Sequence, residues 1–341
     1  MSESAPRIAV IGIASWDRLV GVERYPGVGE HVSVTAESSA PGGTSANTAV
    51  ALARLGAVVT IATVVGDDAD GQAIRRSLEA ENVDTRWIGV RRGQRSDGAT
   101  VVVSREPPDR TIYWHHGAQL ARGDRLDIAG LFDHDAVVLD VVDVPLRRFL
   151  LDLPAHTSPR ARLIGLLTYL ADPAIHDGFD LALRHDVVVG SERDALAVTG
   201  TWSVSDATAA FQSRMVGANL RAAVITRGET GCRVVTLSDS WQLPAFAASV
   251  VDPAGAGDAF AAGVAWGVAL RWDWPHIGRF ANALGALAIQ GFGAQTSLPS
   301  RAEVEALLRD DAADGESATN NVGSSAAIER GRESAERGTW H

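Results

Sequence analysis

The sequence predicts an α/β fold: a doubly wound, mostly parallel sheet with helices on both faces, joined by a small β-sheet lid. Mostly apolar runs rich in β-branched residues, such as 7–14 and 58–66, are typical of strands buried on both faces of a parallel sheet. Through the middle of the chain such runs alternate with segments of helical spacing, as βαβ units do. Two hairpin-like segments, at about 17–40 and 97–116, predict the lid, because distant hairpins can pair into one small sheet.

Composition limits the possible partners. The 341 residues are 46% hydrophobic and 21% charged, which is typical of a globular protein. The net charge of −11 argues against a nucleic-acid partner. The sequence also has no run of about 18 apolar residues, so we predict no membrane span. Residues 1–7 do not resemble a signal peptide, so we expect a cytoplasmic protein.

The chain is expected to form one domain followed by a tail. Residues 1–308 carry all the predicted strands and helices. Residues 309–341 are rich in Asp, Glu, Ser, Gly, Asn and Arg and contain few apolar side chains. Such a segment cannot offset its ordering entropy by burial, so we predict that the tail is disordered.

Two residue types are scarce enough to exclude whole classes of protein. All 31 basic residues are arginine, which excludes P-loop enzymes, protein kinases and Schiff-base enzymes, since each needs a lysine. Cys232 is the single cysteine, so an internal disulfide is excluded, and we interpret it as a buried, inert thiol. His115 and His116 belong to no HExxH motif and have no carboxylate at metal-ligand spacing, so we predict no metal site there.

A glycine-rich turn comes directly before an apolar helix at residues 255–258. Gly255 and Gly257 let the backbone approach a ligand, and the helix adds the positive end of its dipole, so the turn is suited to bind an anion such as phosphate. Asp258 would repel that anion unless it takes a proton from the group attacking it. We therefore interpret Asp258 as a base in phosphoryl transfer, with a helix cap as the alternative.

A second glycine turn, Gly42–Gly43, opens another helix, and Asn47 in its first turn can direct an amide at a polar ligand. Asp17 follows the first buried strand, at the edge where open α/β sheets bind ligands. These residues are candidates for substrate binding. The alternatives are ordinary turn glycines and a turn aspartate.

Ser191 and Asp194 begin a helix after another strand end. Helix capping alone explains both residues, so a functional role for them needs support from elsewhere.

The order of these features resembles the ribokinase-like (PfkB) carbohydrate kinase family over residues 7–308. The features are a strand with Gly12 and Asp17, GG-x-x-x-N, Thr226-x-Gly228, the GAGD turn, and an Asn282 helix leading to 293–299. Within the family, GIASWDRLVGVERYPGVGE (12–30) and DRTIYWHH (109–116) look most like the ketohexokinase and sulfofructose kinase branch.

The resemblance implies an ATP-dependent sugar kinase that uses Mg²⁺ and dimerises through its lid. The roles that it implies are as follows: Asp258 as catalytic base; Gly255, Ala256 and Gly257 as anion hole; Asp17, Gly42, Gly43 and Asn47 for the sugar; Ser191, Thr226, Gly228 and Asn282 for ATP; Asp194 for indirect Mg²⁺ binding; and Asp252 in a potassium-binding stretch.

Two departures from the family pattern bear on function. Pro253 stands where threonine is usual, and the N-x-x-E motif for Mg²⁺ and phosphate reads Ser-Glu-Arg-Asp at 191–194. The altered N-x-x-E motif leaves a catalytically weak sugar-binding regulator as an alternative. A nucleoside kinase on the same fold is another, because Asp17 and Asn47 would bind a pair of ribose hydroxyls equally well. A dinucleotide-binding oxidoreductase is excluded, because neither Gly12 nor Gly255 is followed by the required glycine pattern.

Overall fold

The computed structural model describes residues 4–107, 109–153 and 161–311. Within these ranges, the residues up to 300 form one compact unit, and residues 301–311 belong to a second. The strands are β1 (Arg7–Gly12), β2 (Ser15–Val22), β3 (Val34–Gly42), β4 (Val58–Gly66), β5 (Asp84–Arg91), β6 (Gly98–Ser104), β7 (Asp109–His115), β8 (Ala136–Asp140), β9 (Arg162–Leu166), β10 (Val187–Ser191), β11 (Ala222–Thr226), β12 (Cys232–Thr236) and β13 (Ser240–Leu243). The helices are α1 (Thr44–Leu55), α2 (Ala69–Ala80), α3 (Ile128–Phe132), α4 (Val144–Asp152), α5 (Gly178–Ala182), α6 (Glu192–Thr199), α7 (Val204–Met215), α8 (Ala256–Ala269), α9 (Trp274–Ala288) and α10 (301–311).

The main sheet has the order β13-β12-β11-β10-β9-β8-β1-β4-β5. Its pairs are parallel from β5 to β11, and β12 and β13 add an antiparallel edge. The chain builds outwards from β1 to β4 and β5, then crosses to β8 and continues to β11. This confirms the predicted doubly wound, mostly parallel sheet and puts its topological switch between β1 and β8.

Both faces of the sheet are covered, because successive side chains of a strand point to opposite sides. In β1, Ala9 and Ile11 belong to a core cluster with Leu131 of α3 and Leu146 of α4. Val10, between them, is fully buried outside that cluster, and α1 and α8 pack against the same strand. The predicted covering of helices on both faces is therefore confirmed.

The lid is a separate four-stranded sheet of order β3-β2-β6-β7. Its two hairpins are antiparallel, and they join through a parallel pairing of β2 with β6. The expectation that two distant hairpins form one small sheet is confirmed. Leu19, Val101 and Ile112 are in register across it and form a continuous apolar row.

Some boundaries differ from those expected. Asp17 lies inside lid strand β2 rather than after β1, because the chain enters the lid only two residues beyond β1. Gly42 is the last residue of β3, and the following helix begins at Thr44. From its helical spacing, the segment 173–184 is expected to form one helix, but only Gly178–Ala182 is helical, since turns at 173–174 and 176–177 precede it.

The C-terminal segment begins as a helix. Helix α10 runs to Asp311, three residues into the segment assigned to the tail by sequence. Residues 312–341 lie outside the described residues, so the disordered tail stays a prediction. No helix in the described ranges has the length and apolar character needed to cross a bilayer.

Candidate active site

A cavity of about 530 Å³ opens between the lid and the carboxyl ends of the main-sheet strands. This is where open α/β sheets bind ligands. Most of the residues predicted for the site line it, from both ends of the sequence: Asp17, Gly43, Asn47, Ser191, Asp194, Thr226, Gly255, Gly257 and Asp258. The fold therefore brings the two glycine turns, which are about 210 residues apart, to one cavity.

The GAGD turn forms the start of α8. Gly255 is the N-cap in a left-handed conformation, with φ of 81°. An added Cβ there would lie 2.4 Å from the carbonyl oxygen of Ala294, so the position is restricted to glycine. Helix geometry leaves the N–H groups of Gly257 and Asp258 without acceptors inside the helix. The turn thus presents N–H donors and a carboxylate together.

The Asp258 carboxylate is held by a short chain of amides. Asn47 Nδ2 donates to Asp258 Oδ2 at 2.7 Å, and Gln295 Nε2 donates to Asn47 Oδ1 at 2.9 Å. Burial raises the pKa of Asp258 to about 6, although the Asn47 hydrogen bond and the charge of Arg110 oppose the rise. A carboxylate with this pKa is ionised at neutral pH and is more basic than an exposed one.

Asp17 faces the same cavity from the lid. Its Oδ1 accepts the N–H of Ala99 at 3.0 Å. Burial raises the pKa of Asp17 to about 6, against a hydrogen bond from Ser15, and the charge of Asp97 raises it further. Its other oxygen can accept from ligand hydroxyls, so Asp17 is placed as a substrate-binding carboxylate.

Ser191 and Asp194 form a capping box at the start of α6. Asp194 N donates to Ser191 Oγ, and Ser191 N donates to Asp194 Oδ2, each at 3.1 Å. Thr226, at the end of the neighbouring strand, donates to Gly190 O at 3.4 Å. These three residues form one end of the cavity, so capping and ligand contact are compatible here.

Five predicted residues are not part of the cavity wall: Gly42, Ala256, Gly228, Asn282 and Asp252. Asn282 Nδ2 donates to the carbonyls of Leu243 and Pro244, at 3.1 and 2.9 Å, and so holds the segment after β13. Gly228, with φ of 55°, begins a short 3₁₀ helix. Their roles in ATP binding stay predictions.

Asp252 is fully buried below the GAGD turn. Its oxygens accept the N–H groups of Ala254 and Gly293, both at 2.9 Å. The carboxylate thereby ties the turn to the segment after α9, which explains why an acidic residue precedes the turn even without an ion.

The sequence analysis did not identify Thr44, Tyr169 and Arg110, which line the cavity, or Asp140, which is hydrogen-bonded to Thr44. Asp140 ends buried strand β8, next to β1, and burial raises its pKa to about 7. The rule that pointed to Asp17, a carboxylate at a strand's carboxyl end, would have found it. Tyr169 lies in an irregular segment, and Arg110 is one arginine among many, so neither carries a sequence signal.

Comparison with known proteins gives a consistent result. The family model for pfkB family carbohydrate kinases matches residues 5–301. The chain is 31% identical over 310 residues to a ribokinase of Bacillus subtilis (strain 168), covering 88% of this chain and 99% of that protein.

Solved structures share the fold. An Arabidopsis thaliana ribokinase complexed with ribose and ATP has a TM-score of 0.74 at 23% identity, covering 89% of this chain and 99% of that one. A nucleoside kinase of Methanocaldococcus jannaschii has a TM-score of 0.73 at 18% identity, covering 90% and 100%. At these identities the likeness shows the fold alone.

Proposed function

The chain belongs to the pfkB family of carbohydrate kinases, and we propose that Asp258 is the base with which it transfers a phosphoryl group from ATP to a sugar hydroxyl. One observation carries the proposal. The Asp258 carboxylate faces the cavity at the N-terminus of α8, where backbone N–H groups can donate hydrogen bonds to the negatively charged oxygens of a phosphoryl group.

The reaction follows from this geometry. The sugar hydroxyl gives its proton to the carboxylate of Asp258 and forms a bond to the γ-phosphorus of ATP. The bond from that phosphorus to the bridging oxygen breaks, and ADP leaves with the electron pair. The N–H groups of Gly257 and Asp258 offset charge on the transferred group, and Asn47 keeps the base in position.

The remaining predicted residues divide between the two substrates. Asp17, Gly42, Gly43 and Asn47 are assigned to the sugar. Ser191, Thr226, Gly228 and Asn282 are assigned to ATP. Of these, Ser191 and Thr226 line the cavity at the ends of β10 and β11, which lie three and four strands away from β1, and this separation supports the division.

Charge balance gives Arg110 a role. Among the described residues that line the cavity, Arg110 is the one cationic side chain, whereas Asp17, Asp97, Asp194 and Asp258 are acidic. ATP brings several negative charges, so we assign Arg110 to the transferred phosphoryl group, from the lid side.

Magnesium is expected to arrive with ATP. The described residues contain no cluster of three or more His, Cys, Asp or Glu side chains suited to a metal, so phosphate oxygens and water would supply most ligands. Asp194 fits an indirect contact, because the capping box uses only its Oδ2. The ion would offset phosphate charge.

Potassium is assigned to the stretch around Asp252. That carboxylate is buried, and the hydrogen bonds it accepts come from neutral N–H groups, so a monovalent cation nearby would offset its charge.

Two other functions remain as alternatives. The apolar row of Leu19, Val101 and Ile112 lines the lid side of the cavity and would suit the base of a nucleoside. The altered motif at 191–194 motivates a weakly catalytic sugar-binding regulator. Cytoplasmic location, a homodimer through the lid and a place near the ketohexokinase and sulfofructose kinase branch are further proposals.

A substrate panel tests these assignments. Purified protein is incubated with ATP, Mg²⁺ and either sugars, including D-ribose and D-fructose, or nucleosides, and ADP formation is measured. Turnover of a sugar supports the proposal, whereas turnover of nucleosides alone supports the first alternative. Binding without ADP formation supports the regulator.

Asp258→Asn tests the base. The substitution keeps the size of the side chain but removes the proton acceptor, so kcat should fall by about 10²- to 10⁴-fold with similar sugar affinity. Near-normal turnover would contradict the assignment.

A further inference from the structure

The segment that follows α9 passes beside the proposed base and is fixed at two points. Near its start, Asp252 accepts the N–H of Gly293 at 2.9 Å. Farther along, Nη1 of Arg54 donates to the carbonyl oxygens of Gln295 and Leu298, at 2.9 and 2.8 Å. The backbone on both sides of the Gln295 side chain is therefore held in place.

A bidentate ion pair orients Arg54. Its Nε and Nη2 donate to the two carboxylate oxygens of Glu81 at 3.0 and 2.7 Å, and the two side chains are only 27% and 30% exposed. Such a pair fixes the plane of a guanidinium group, so the remaining nitrogen is directed at the two carbonyls. Arg54 lies on α1, the helix that also carries Asn47. The position of Gln295 is thus fixed relative to that helix.

The side chain of Gln295 sets which way the Asn47 amide faces. Gln295 Nε2 donates to Asn47 Oδ1 at 2.9 Å, and Asn47 Nδ2 donates to Asp258 Oδ2 at 2.7 Å. If the Asn47 amide were reversed, its oxygen would face the carboxylate and its NH₂ group would face the NH₂ group of Gln295. Both contacts would then be repulsive, because each would pair like with like. Gln295 therefore disfavours the reversed amide.

In the observed orientation, Asn47 presents only N–H groups to the cavity. Its one acceptor atom, Oδ1, is used by Gln295. Among the described residues, Asp258 is the one acceptor bonded to the amide nitrogen, and the second N–H is left for an oxygen of the sugar. Gln295 does not line the cavity itself, so it reaches the site through Asn47.

We propose that Gln295, held by Arg54, is a positioning residue of the active site that keeps the Asn47 amide turned so that Asn47 donates to Asp258 and to the sugar. This deepens the proposed function, and its effect on turnover rests on that function. Without Gln295 the Asn47 amide can reverse, and the carboxylate of Asp258 loses its donor. The base is then less well placed and less often ionised, so turnover falls.

The first test is Gln295→Met in the full-length protein, which keeps the length of the side chain but removes the donor. With whichever of D-ribose and D-fructose gives the higher kcat/KM, kcat should fall about tenfold. The limb of kcat/KM near pH 6 should move up by about 0.5 to 1 unit, since the Asn47 hydrogen bond lowers the pKa of Asp258. Thr296→Val, at an exposed position of the same segment, is the matched control and should change neither.

Combination with Asn47→Ala tests whether Gln295 acts through Asn47. If it does, Gln295→Met should lower kcat by less than about twofold once Asn47 is replaced, because the amide that it orients is gone. A similar loss in both backgrounds would overturn the inference, as would an unchanged kcat and limb in Gln295→Met alone. A lower Tm with unchanged kinetics would mean that Gln295 is structural only, and overturns it too.

A measurement without turnover separates this inference from the proposed function. The free energy of unfolding in urea is measured from about pH 4 to 8 for the wild type, for Gln295→Met and for each of them with Asp258→Asn. The difference within each pair isolates the titration of Asp258. Arg110 of β7 and Asp17 of β2 face Asp258 from the lid, and Asp140 does so from the end of β8. These groups are common to both pairs, so their effects cancel when the pairs are compared.

The sign of the expected effect follows from the raised pKa. Asp258 has a pKa of about 6 in the folded protein, above its ordinary value of 3.8, so its proton adds stability at low pH that is lost as the pH rises through 6. In Gln295→Met that loss should occur about 0.5 to 1 unit higher. Loss at the same pH in both pairs would overturn the inference even in an active kinase. A protein that shows the shift but forms no ADP contradicts the kinase function alone.

Discussion

At the scale of single residues, the two carboxylates of the sugar end share one electrostatic environment. Burial raises the pKa of Asp258 and of Asp17 to about 6, and the charge of Asp17 raises that of Asp258 further. Arg110 acts in the opposite direction. Burial is the largest cause in both cases, so both carboxylates are expected to titrate near pH 6.

This pair predicts the pH profile. The base must be ionised to accept a proton, so kcat/KM should rise with pH and level off above a limb near pH 6. Arg110→Gln removes a positive charge that favours ionised Asp258, and the limb should move up by about 0.3 to 1 unit. Arg110→Lys keeps the charge and is the matched control. A limb that does not move in Arg110→Gln would show that Arg110 is remote from the base.

Asp140 predicts an effect on stability instead. Its pKa of about 7 in the folded protein exceeds its ordinary value of 3.8, so the folded state holds the proton more tightly. Stability that is present below pH 4 should be lost progressively as pH rises to 7, by up to a few kcal/mol for a shift of this size. Asp140→Asn cannot ionise, and its oxygen can accept from Thr44 and Ser45. Its free energy of unfolding in urea should therefore depend less on pH between 5 and 8 than that of the wild type; equal pH dependence would contradict the assignment.

At the scale of elements, the first turn of α8 contains two glycines with different expected roles, one in stability and one in catalysis. Its two glycines differ in what surrounds them. Gly255 has positive φ, and an added Cβ would meet the backbone of Ala294, whereas an added Cβ at Gly257 meets nothing within 4 Å. Gly257 lines the cavity, where phosphate is proposed to bind.

The glycine pair gives a prediction with its own control. Gly255→Ala should destabilise the protein by about 2 kcal/mol or more, seen as a lower urea midpoint, because strain and overlap combine. Gly257→Ala should keep or slightly raise stability, since alanine favours a helix, but its methyl group should obstruct the phosphoryl group and lower kcat. Full activity in Gly257→Ala would place the phosphoryl group elsewhere.

At the scale of the whole molecule, the lid offers apolar surface beyond the cavity. Tyr113, on the strand that also carries Ile112, is 58% exposed, and Ile112 is 55% exposed. Alternation along β7 directs Tyr113 away from the face that Ile112 presents to the cavity. Exposed aromatic surface on a small sheet is consistent with the proposed dimer through the lid.

The dimer is tested by Tyr113→Glu. A charge on this surface should shift the protein towards monomer in light scattering after size-exclusion chromatography. Trp202→Glu is the control, because Trp202 is 95% exposed in the loop between α6 and α7, away from the lid. Equal masses for the wild type and Tyr113→Glu would contradict a dimer through this face of the lid.

The sequence by itself determined the sheet class, the two-hairpin lid and the GAGD turn with Asp258, because these depend on local signals. Apolar runs mark buried strands, and glycines before a helix mark an anion site. Only the tertiary structure decided that Asn47 holds Asp258. It also decided that the Asp140 carboxylate accepts hydrogen bonds from Thr44 and Ser45. Those hydrogen bonds join residues 95 to 211 positions apart, and no local pattern records which hydroxyl or amide reaches which carboxylate.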